Sequence, residues 1–291
     1  MIWQLWIGLT LCSMIVVVFG LSAYGAKQWV DSTRLLSCLL GASRVDMTVE
    51  LPTKLRYDSR ELEGLPEPVQ RFFRAVLKDG QPVITAATIE LVGTFNMSTT
   101  GEQWKPFTSR QQVITRRPGF LWDAKVAMLP GLPVRVVDSY IAGQGLLHAA
   151  VLGLFTVAQA SGDGELALGE FMRFFAEAAW YPTALLPSQG VRWVAVNDYS
   201  ANATIVDGAL SLTLLFRFSE AGLIESFRAE ARACGVGKDM VMLPWEGSWS
   251  NYQMRNGMML PLTGEVGWMQ PQGFKSYFVG NVTSMRYEFA L

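Results

Sequence analysis

Pro244-Trp245-Glu246-Gly247-Ser248-Trp249-Ser250-Asn251-Tyr252-Gln253-Met254-Arg255-Asn256-Gly257-Met258-Met259-Leu260-Pro261-Leu262-Thr263-Gly264-Glu265-Val266-Gly267-Trp268 reads as one long β-hairpin. Asn256-Gly257 at its centre is the pair a type I′ turn favours, because both central residues of that turn need positive φ. With Arg255 opposite Met258, counting back along both arms sets Trp245 opposite Trp268 and Trp249 opposite Gly264. Glu246, Ser248, Thr263 and Glu265 then share the other face. One apolar, tryptophan-rich face and one polar face is the pattern of an antiparallel sheet covered on one side.

Outward from the hairpin, the same period of two recurs. Val83 to Met97 alternates, as do Phe120, Trp122, Ala124, Val126 and Met128. Leu129-Pro130-Gly131-Leu132-Pro133 reads as a turn, followed by a return strand through Val134, Val136, Asp138 and Tyr140. Leu210 to Phe218 is a further strand, reversed near Glu220-Ala221-Gly222, and Tyr277 to Phe289 is a closing strand. Two helices interrupt the pattern. Pro66 to Leu77 places Val69, Phe72, Phe73, Val76 and Leu77 on one face. Glu165 to Trp180 is apolar almost all round, apart from a narrow stripe of Glu170, Arg173, Glu177 and Tyr181. A helix this apolar is buried. The expected fold is α+β, mainly antiparallel β: a large curved, half-barrel-like sheet with packed helices, forming a β-rich globular domain over 65–291.

Met1 to Ala26 carries no charged side chain, and Ile, Leu, Val, Trp and Phe dominate Ile2 to Ala23. That run matches the roughly 20 residues a helix needs to cross a bilayer. Trp3, Trp6, Tyr24 and Trp29 flank it, where amphipathic rings favour the headgroup zone. Residues 1–26 are expected to be a transmembrane anchor, and 27–64 a juxtamembrane helix and polar connector. A cleaved signal peptide competes, since Ala23-Tyr24-Gly25 offers a small-x-small site. Against it, no Lys or Arg precedes the run, which exceeds the roughly 7–15 apolar residues of a signal. Lys27, Arg34 and Arg44 follow the run, and positive flanks weakly favour a cytoplasmic domain.

The chain has 291 residues, 50% hydrophobic and 17% charged, with net charge -1. Nucleic-acid binders carry a basic surplus and disordered chains combine high net charge with low hydrophobicity, so neither class fits. One His and three Cys exclude a multi-His metal site and a Cys₄ zinc site. Gly235-Val236-Gly237-Lys238-Asp239 lacks the upstream glycine and following Ser/Thr of a P-loop. No metal, cofactor or nucleic acid is expected.

Several polar residues are candidates for a site. Arg173 in the helix stripe can bind a carboxylate or phosphate head group, or close a structural ion-pair network. Asp138 falls on the Trp122/Tyr140 side of its hairpin, where burial raises a carboxyl pKa unless an Arg or backbone N–H satisfies it. Glu246 and Glu265 are diagonal neighbours on the polar face, a carboxylate pair in principle and a solvated face by ordinary alternation. His148 has no Gly-x-Ser-x-Gly elbow to supply a nucleophile and reads as a strand or surface residue. The tryptophans suit either core filling or the wall of an apolar cavity. The expected ligand-binding set is Arg173, Glu177, Trp180, Tyr181, Trp122, Asp138, Tyr140 and Trp245, with no catalytic residue.

The segments Leu65-Pro66-Glu67-Pro68-Val69-Gln70-Arg71-Phe72, Pro118-Gly119-Phe120-Leu121-Trp122-Asp123-Ala124, Pro130-Gly131-Leu132-Pro133-Val134-Arg135, Ala176-Glu177-Ala178-Ala179-Trp180-Tyr181-Pro182-Thr183-Ala184-Leu185-Leu186-Pro187 and Pro244-Trp245-Glu246-Gly247 together resemble an uncharacterised family of bacterial proteins, many with a hydrophobic N-terminal segment. The resemblance spans roughly 65–290 and brings no activity with it. More loosely, the final hairpin and closing strand look like the half-barrel of periplasmic lipoprotein carriers. That likeness implies a curved sheet around a lipid-binding cavity with helices as a lid, and an extracytoplasmic domain; fold alone does not fix function.

The favoured expectation is a single-pass, membrane-anchored envelope protein that binds a hydrophobic or lipid-like ligand in the cavity of a curved sheet. Its partners would be the membrane and that apolar ligand. Two alternatives stay open: a protein-interaction or scaffold module without a small ligand, and an enzyme of unrecognised type using Asp138, Arg173 or Glu177. Binding is favoured over chemistry.

Overall fold

The computed structural model describes residues 2–44, 55–98, 101–129, 132–235 and 240–290. Residues 45–54 of the polar connector, the Pro130-Gly131 corner and the Val236 to Asp239 stretch lie outside the described residues. A helix α1 (Ile2–Ser43), a 3₁₀ turn (Ser59–Leu62) and a helix α2 (Glu67–Val76) precede the sheet. Six strands follow: β1 (Ile84–Asn96), β2 (Trp104–Ile114), β3 (Gly119–Leu129), β4 (Leu132–Ile141), β5 (Gln144–Val151) and β6 (Phe155–Gly162). Helix α3 (Glu165–Ala176) and 3₁₀ turns at Glu177–Trp180, Pro182–Leu185 and Pro187–Gln189 come next. Seven strands complete the chain: β7 (Arg192–Asn197), β8 (Ser200–Asp207), β9 (Leu210–Phe218), β10 (Ile224–Cys234), β11 (Val241–Arg255), β12 (Met258–Gln270) and β13 (Gly273–Phe289).

All thirteen strands join one antiparallel sheet, in the order β6-β5-β4-β3-β2-β1-β13-β12-β11-β10-β9-β8-β7. Two meanders therefore meet where β1 pairs with β13, which leaves β6 and β7 as the edges. The α3 segment runs from one edge to the other. It touches β4 and β5 of one half and β9 and β10 of the other, so the sheet has to curl around it. The main core lies in that concavity and includes Phe171, Phe174, Phe175 and Trp180 from the α3 segment.

The β11–β12 hairpin has the predicted register, Arg255 opposite Met258, Trp245 opposite Trp268 and Trp249 opposite Gly264. Asn256 and Gly257 both have positive φ, 48° and 78°, as a type I′ turn requires. A row of glycines crosses the sheet here: Gly93 of β1, Gly280 of β13 and Gly264 of β12 stand in register, with Trp249 next. A Cβ would come 2.9 Å from Phe107 at Gly93, 2.8 Å from Phe278 at Gly280 and 2.6 Å from Trp249 at Gly264. Aromatic rings thus rest directly on the backbone, which only glycine permits.

The opposite face of β1–β5 is covered by the second half of α1. Trp29 and Leu40 pack on Ala86, Ile114, Leu121, Val137 and Ala150. Alternation points Leu121 and Val137 away from the concave core; α1 is what buries them. Burying Trp29 and Leu40 contributes about 2 kcal/mol each. Polar contacts fix the docking. Trp29 Nε1 donates to Asp123 Oδ1 at 2.8 Å, and Ser37 Oγ to Gln112 Oε1 at 2.7 Å. Arg44 pairs with Glu288 at 2.6 Å. The helix is unbroken across the expected boundary after Ala26, and it is long and apolar enough to cross a membrane. Its first half is exposed, with Val16 and Phe19 projecting freely.

Helix α2 starts one residue later than predicted, with Pro66 as N-cap, and buries Val69, Phe72, Phe73 and Val76. The predicted Glu165–Trp180 helix stops at Ala176 and tightens into a 3₁₀ turn. That change of pitch removes Tyr181 from the expected polar stripe. Its hydroxyl turns back to donate to the Phe174 carbonyl, fully buried.

Candidate functional site

The polar stripe of α3 divides into two ion-pair groups. Arg173 donates from Nε to Glu177 Oε1 at 2.9 Å and from Nη1 to Asp138 Oδ2 at 2.7 Å. Its Nη2 reaches Gln111 Oε1 at 3.5 Å, and Gln111 Nε2 donates to Glu177 Oε2 at 2.6 Å. The guanidinium also lies over the Trp122 ring at 4.7 Å. Glu170, one turn earlier, faces a different cation: Arg232 Nη2 lies 3.8 Å from its Oε1. Arg232 also donates from Nε to the Gly169 carbonyl at 3.1 Å and covers the Trp245 ring at 4.3 Å.

Burial dominates the electrostatics. It pushes the Glu170 carboxyl up to about 8, with Asp138 adding to the rise and Arg232 opposing it. Burial raises the Asp138 carboxyl too, against the pull of Arg173 and Arg232. Arg173 is itself raised, because Glu177 and Asp138 outweigh the opposing effect of burial. Three carboxyl groups therefore face two guanidiniums, and Glu170 is the one that keeps its proton near neutral pH.

Beside this network lies a cavity of about 110 Å³. Trp122, Asp138, Arg173, Glu177, Trp180 and Trp245 of the expected set line it. Tyr140 and Tyr181 do not. Tyr140 donates to Asp207 Oδ2 at 2.7 Å and stacks on Phe171 at 5.1 Å. Burial raises its hydroxyl pKa well above the ordinary value, and Asp207 adds to the shift. Phe95, Phe227, Arg232, Trp249, Tyr277 and Phe278 complete most of the wall. The Trp180 and Trp245 indoles are satisfied, by the Pro261 carbonyl and the Tyr277 hydroxyl, both at 3.0 Å. Trp122 Nε1, Trp249 Nε1 and Asp138 Oδ1 are buried without a protein partner.

A match to a family of unknown function, DUF6920, extends over residues 63–287. The chain belongs to that family. No curated protein matches it. In structure it is similar to the LolA superfamily protein NE2245 from Nitrosomonas europaea, with TM-score 0.39, 9% identity, and coverage of 76% of this chain and 92% of that one. It is also similar to a beta-barrel-like protein of domain of unknown function DUF1849 from Brucella abortus, with TM-score 0.23, 8% identity, and coverage of 71% and 99%.

Arg232 is the wall residue that alternation along β10 conceals. Phe227 and Ala229 point inward, so Ala231 should follow. A bulge intervenes: Ala229 opposes Trp245 and Arg232 opposes Leu243, three residues against two. The phase flips and Arg232 turns into the cavity. Trp249 was legible from the hairpin register as a residue on the Trp245 face, and Phe95 from the alternation of β1. The remaining candidates lie elsewhere. Glu246 pairs with Arg217 and Arg228 on the outer face, both at 3.3 Å. His148 of β5 stacks on Trp29 at 5.2 Å, and burial lowers its pKa. Among the described residues no group of three or more His, Cys, Asp or Glu could hold a metal ion.

Proposed function

We propose that this protein is a membrane-anchored domain that holds an apolar ligand in the concave face of its sheet. The carrying observation is the cavity wall: Phe95, Trp180, Phe227, Trp249 and Phe278 surround a space with few polar groups, the usual make-up of a small-molecule site. Its volume, about 110 Å³, takes a short apolar segment, part of a single narrow chain. Apolar cavities of about 150 Å³ hold benzene-sized guests. A lipid with several chains needs the α3 segment to move.

The anchor rests on α1. Its exposed first half has the length and apolar composition of a bilayer span. Gly25, within the small-x-small motif, lies against the Leu152 carbonyl, where a Cβ would come within 2.1 Å. Continuity of the helix through that contact favours an uncleaved anchor. A location in the cell envelope belongs to the same proposal, and reporter fusions at the C-terminus read which side the domain occupies.

The test is solvent extraction and mass spectrometry of the full chain purified from membranes, with calorimetric titration of octane into nanodisc-embedded protein. A stoichiometric apolar molecule, or saturable octane binding above protein-free nanodiscs, is expected. Absence of both would overturn the ligand-binding reading. N-terminal sequencing that began after Gly25 would overturn the anchor.

A further inference from the structure

Resting on that reading of the cavity, we infer that the polar end of the ligand is uncharged and both accepts and donates hydrogen bonds, as a primary amide or a hydroxyl does. An arginine in an apolar pocket ordinarily suggests an anionic head group. Here the guanidinium of Arg173 is already occupied on three nitrogens, by Glu177, Asp138 and Gln111. Arg232 is held by Glu170 and the Gly169 carbonyl. Three carboxyl groups, Asp138, Glu170 and Glu177, already face these two guanidiniums, so an incoming carboxylate or phosphate would bring a further buried negative charge with no cation left to match it. An ammonium group would enter beside two guanidiniums, both already over the Trp122 and Trp245 faces it would seek.

Besides the guanidiniums, the cavity wall carries three buried polar atoms without a protein partner, two neutral donors and one acceptor. Trp122 and Trp249 are 3% and 6% exposed, and their Nε1 atoms have no protein partner. Asp138 spends Oδ2 on Arg173 and keeps Oδ1 buried and unpaired. All three side chains line the cavity. Two indole N–H groups need an acceptor, and Asp138 Oδ1 needs a donor. A ligand atom group that supplies both satisfies buried atoms whose isolation is costly. An alkane tail on the aromatic wall supplies the rest.

Full-length protein in nanodiscs, titrated by calorimetry with octane, 1-octanol, octanamide, octanoate and octylammonium, tests this against protein-free nanodiscs. Octanamide and 1-octanol are expected to bind about fivefold or more tighter than octane and than either ion, as one or two good buried hydrogen bonds allow. Trp122→Phe and Trp249→Phe keep a ring but remove the N–H. Each should bring octanamide toward the octane value while octane itself is unchanged, with folding confirmed by near-ultraviolet circular dichroism. Tighter binding of octanoate or octylammonium overturns the inference, as does octanamide affinity that survives both substitutions. If octane binds and the head groups make no difference, the neutral-head inference alone fails. If no probe binds, the cavity reading fails and takes the inference with it.

Discussion

Arg173 and Asp138 meet at 2.7 Å, Nη1 to Oδ2, with both side chains mostly buried. That contact ties α3 to β4 across the concavity, and Glu177 completes it from the helix side. Replacing Arg173 by Met would leave two buried carboxylates without their cation. The expected loss is about 3–5 kcal/mol of stability, read as a lower melting temperature of the full chain in detergent. Combining Arg173→Met with Asp138→Asn and Glu177→Gln should recover most of it, because the stranded charges are gone. A single variant as stable as the parent would show that the pair holds nothing together.

Glu170 predicts a pH dependence. Its folded carboxyl titrates at about 8, against an ordinary 4.5. Between those values the folded state keeps a proton that the unfolded chain has released. Stability therefore falls as pH rises through that window and levels off above it. Melting temperature should drop from pH 5 to pH 8, and Glu170→Gln should flatten most of the slope. Some slope should persist in the variant, since burial raises Asp138 in the same direction. An unchanged slope in the Gln variant would remove Glu170 as its source.

Gly264→Ala tests the glycine row. The new methyl would sit 2.6 Å from the Trp249 ring, so the ring has to shift to make room. Overpacking of this kind costs about 1–3 kcal/mol. Tryptophan emission should shift along with the melting temperature, because the ring itself is displaced.

The hairpin, its register and the aromatic inner face were legible because Asn256-Gly257 fixes one turn and period two carries the rest. Of the six expected residues that line the cavity, Trp122, Asp138 and Trp245 followed from that alternation, and Arg173, Glu177 and Trp180 from the helix over Glu165 to Trp180. Three features were not legible, each for a local reason. The bulge after Ala229 reverses the phase of β10, and nothing in Glu230-Ala231 announces it. The 3₁₀ tightening after Ala176 withdraws Tyr181 from the polar stripe. The docking face of α1 is hidden because an almost wholly apolar run has no amphipathic period to read; Trp29 looked like an interfacial ring and is instead a buried contact of the sheet.

That contact supplies a further prediction. Trp29→Ala removes a 3%-exposed ring and its hydrogen bond to Asp123. The cost should be about 3–5 kcal/mol, concentrated in α1 docking. Hydrogen exchange should rise over residues 29–43 and stay low in β11 and β12. Uniform acceleration throughout the sheet would show that α1 is an integral part of one cooperative unit.

The 42 residues of α1 make a rod about 63 Å long at 1.5 Å per residue. On the anchor reading, about half of it sits in a hydrocarbon core roughly 30 Å thick, and the other half is a rib of the domain. No slack tether separates the two. The sheet is then mounted like a sail on a mast: its height above the headgroups and its heading are set by one helix, and its concave face cannot swing independently of that helix.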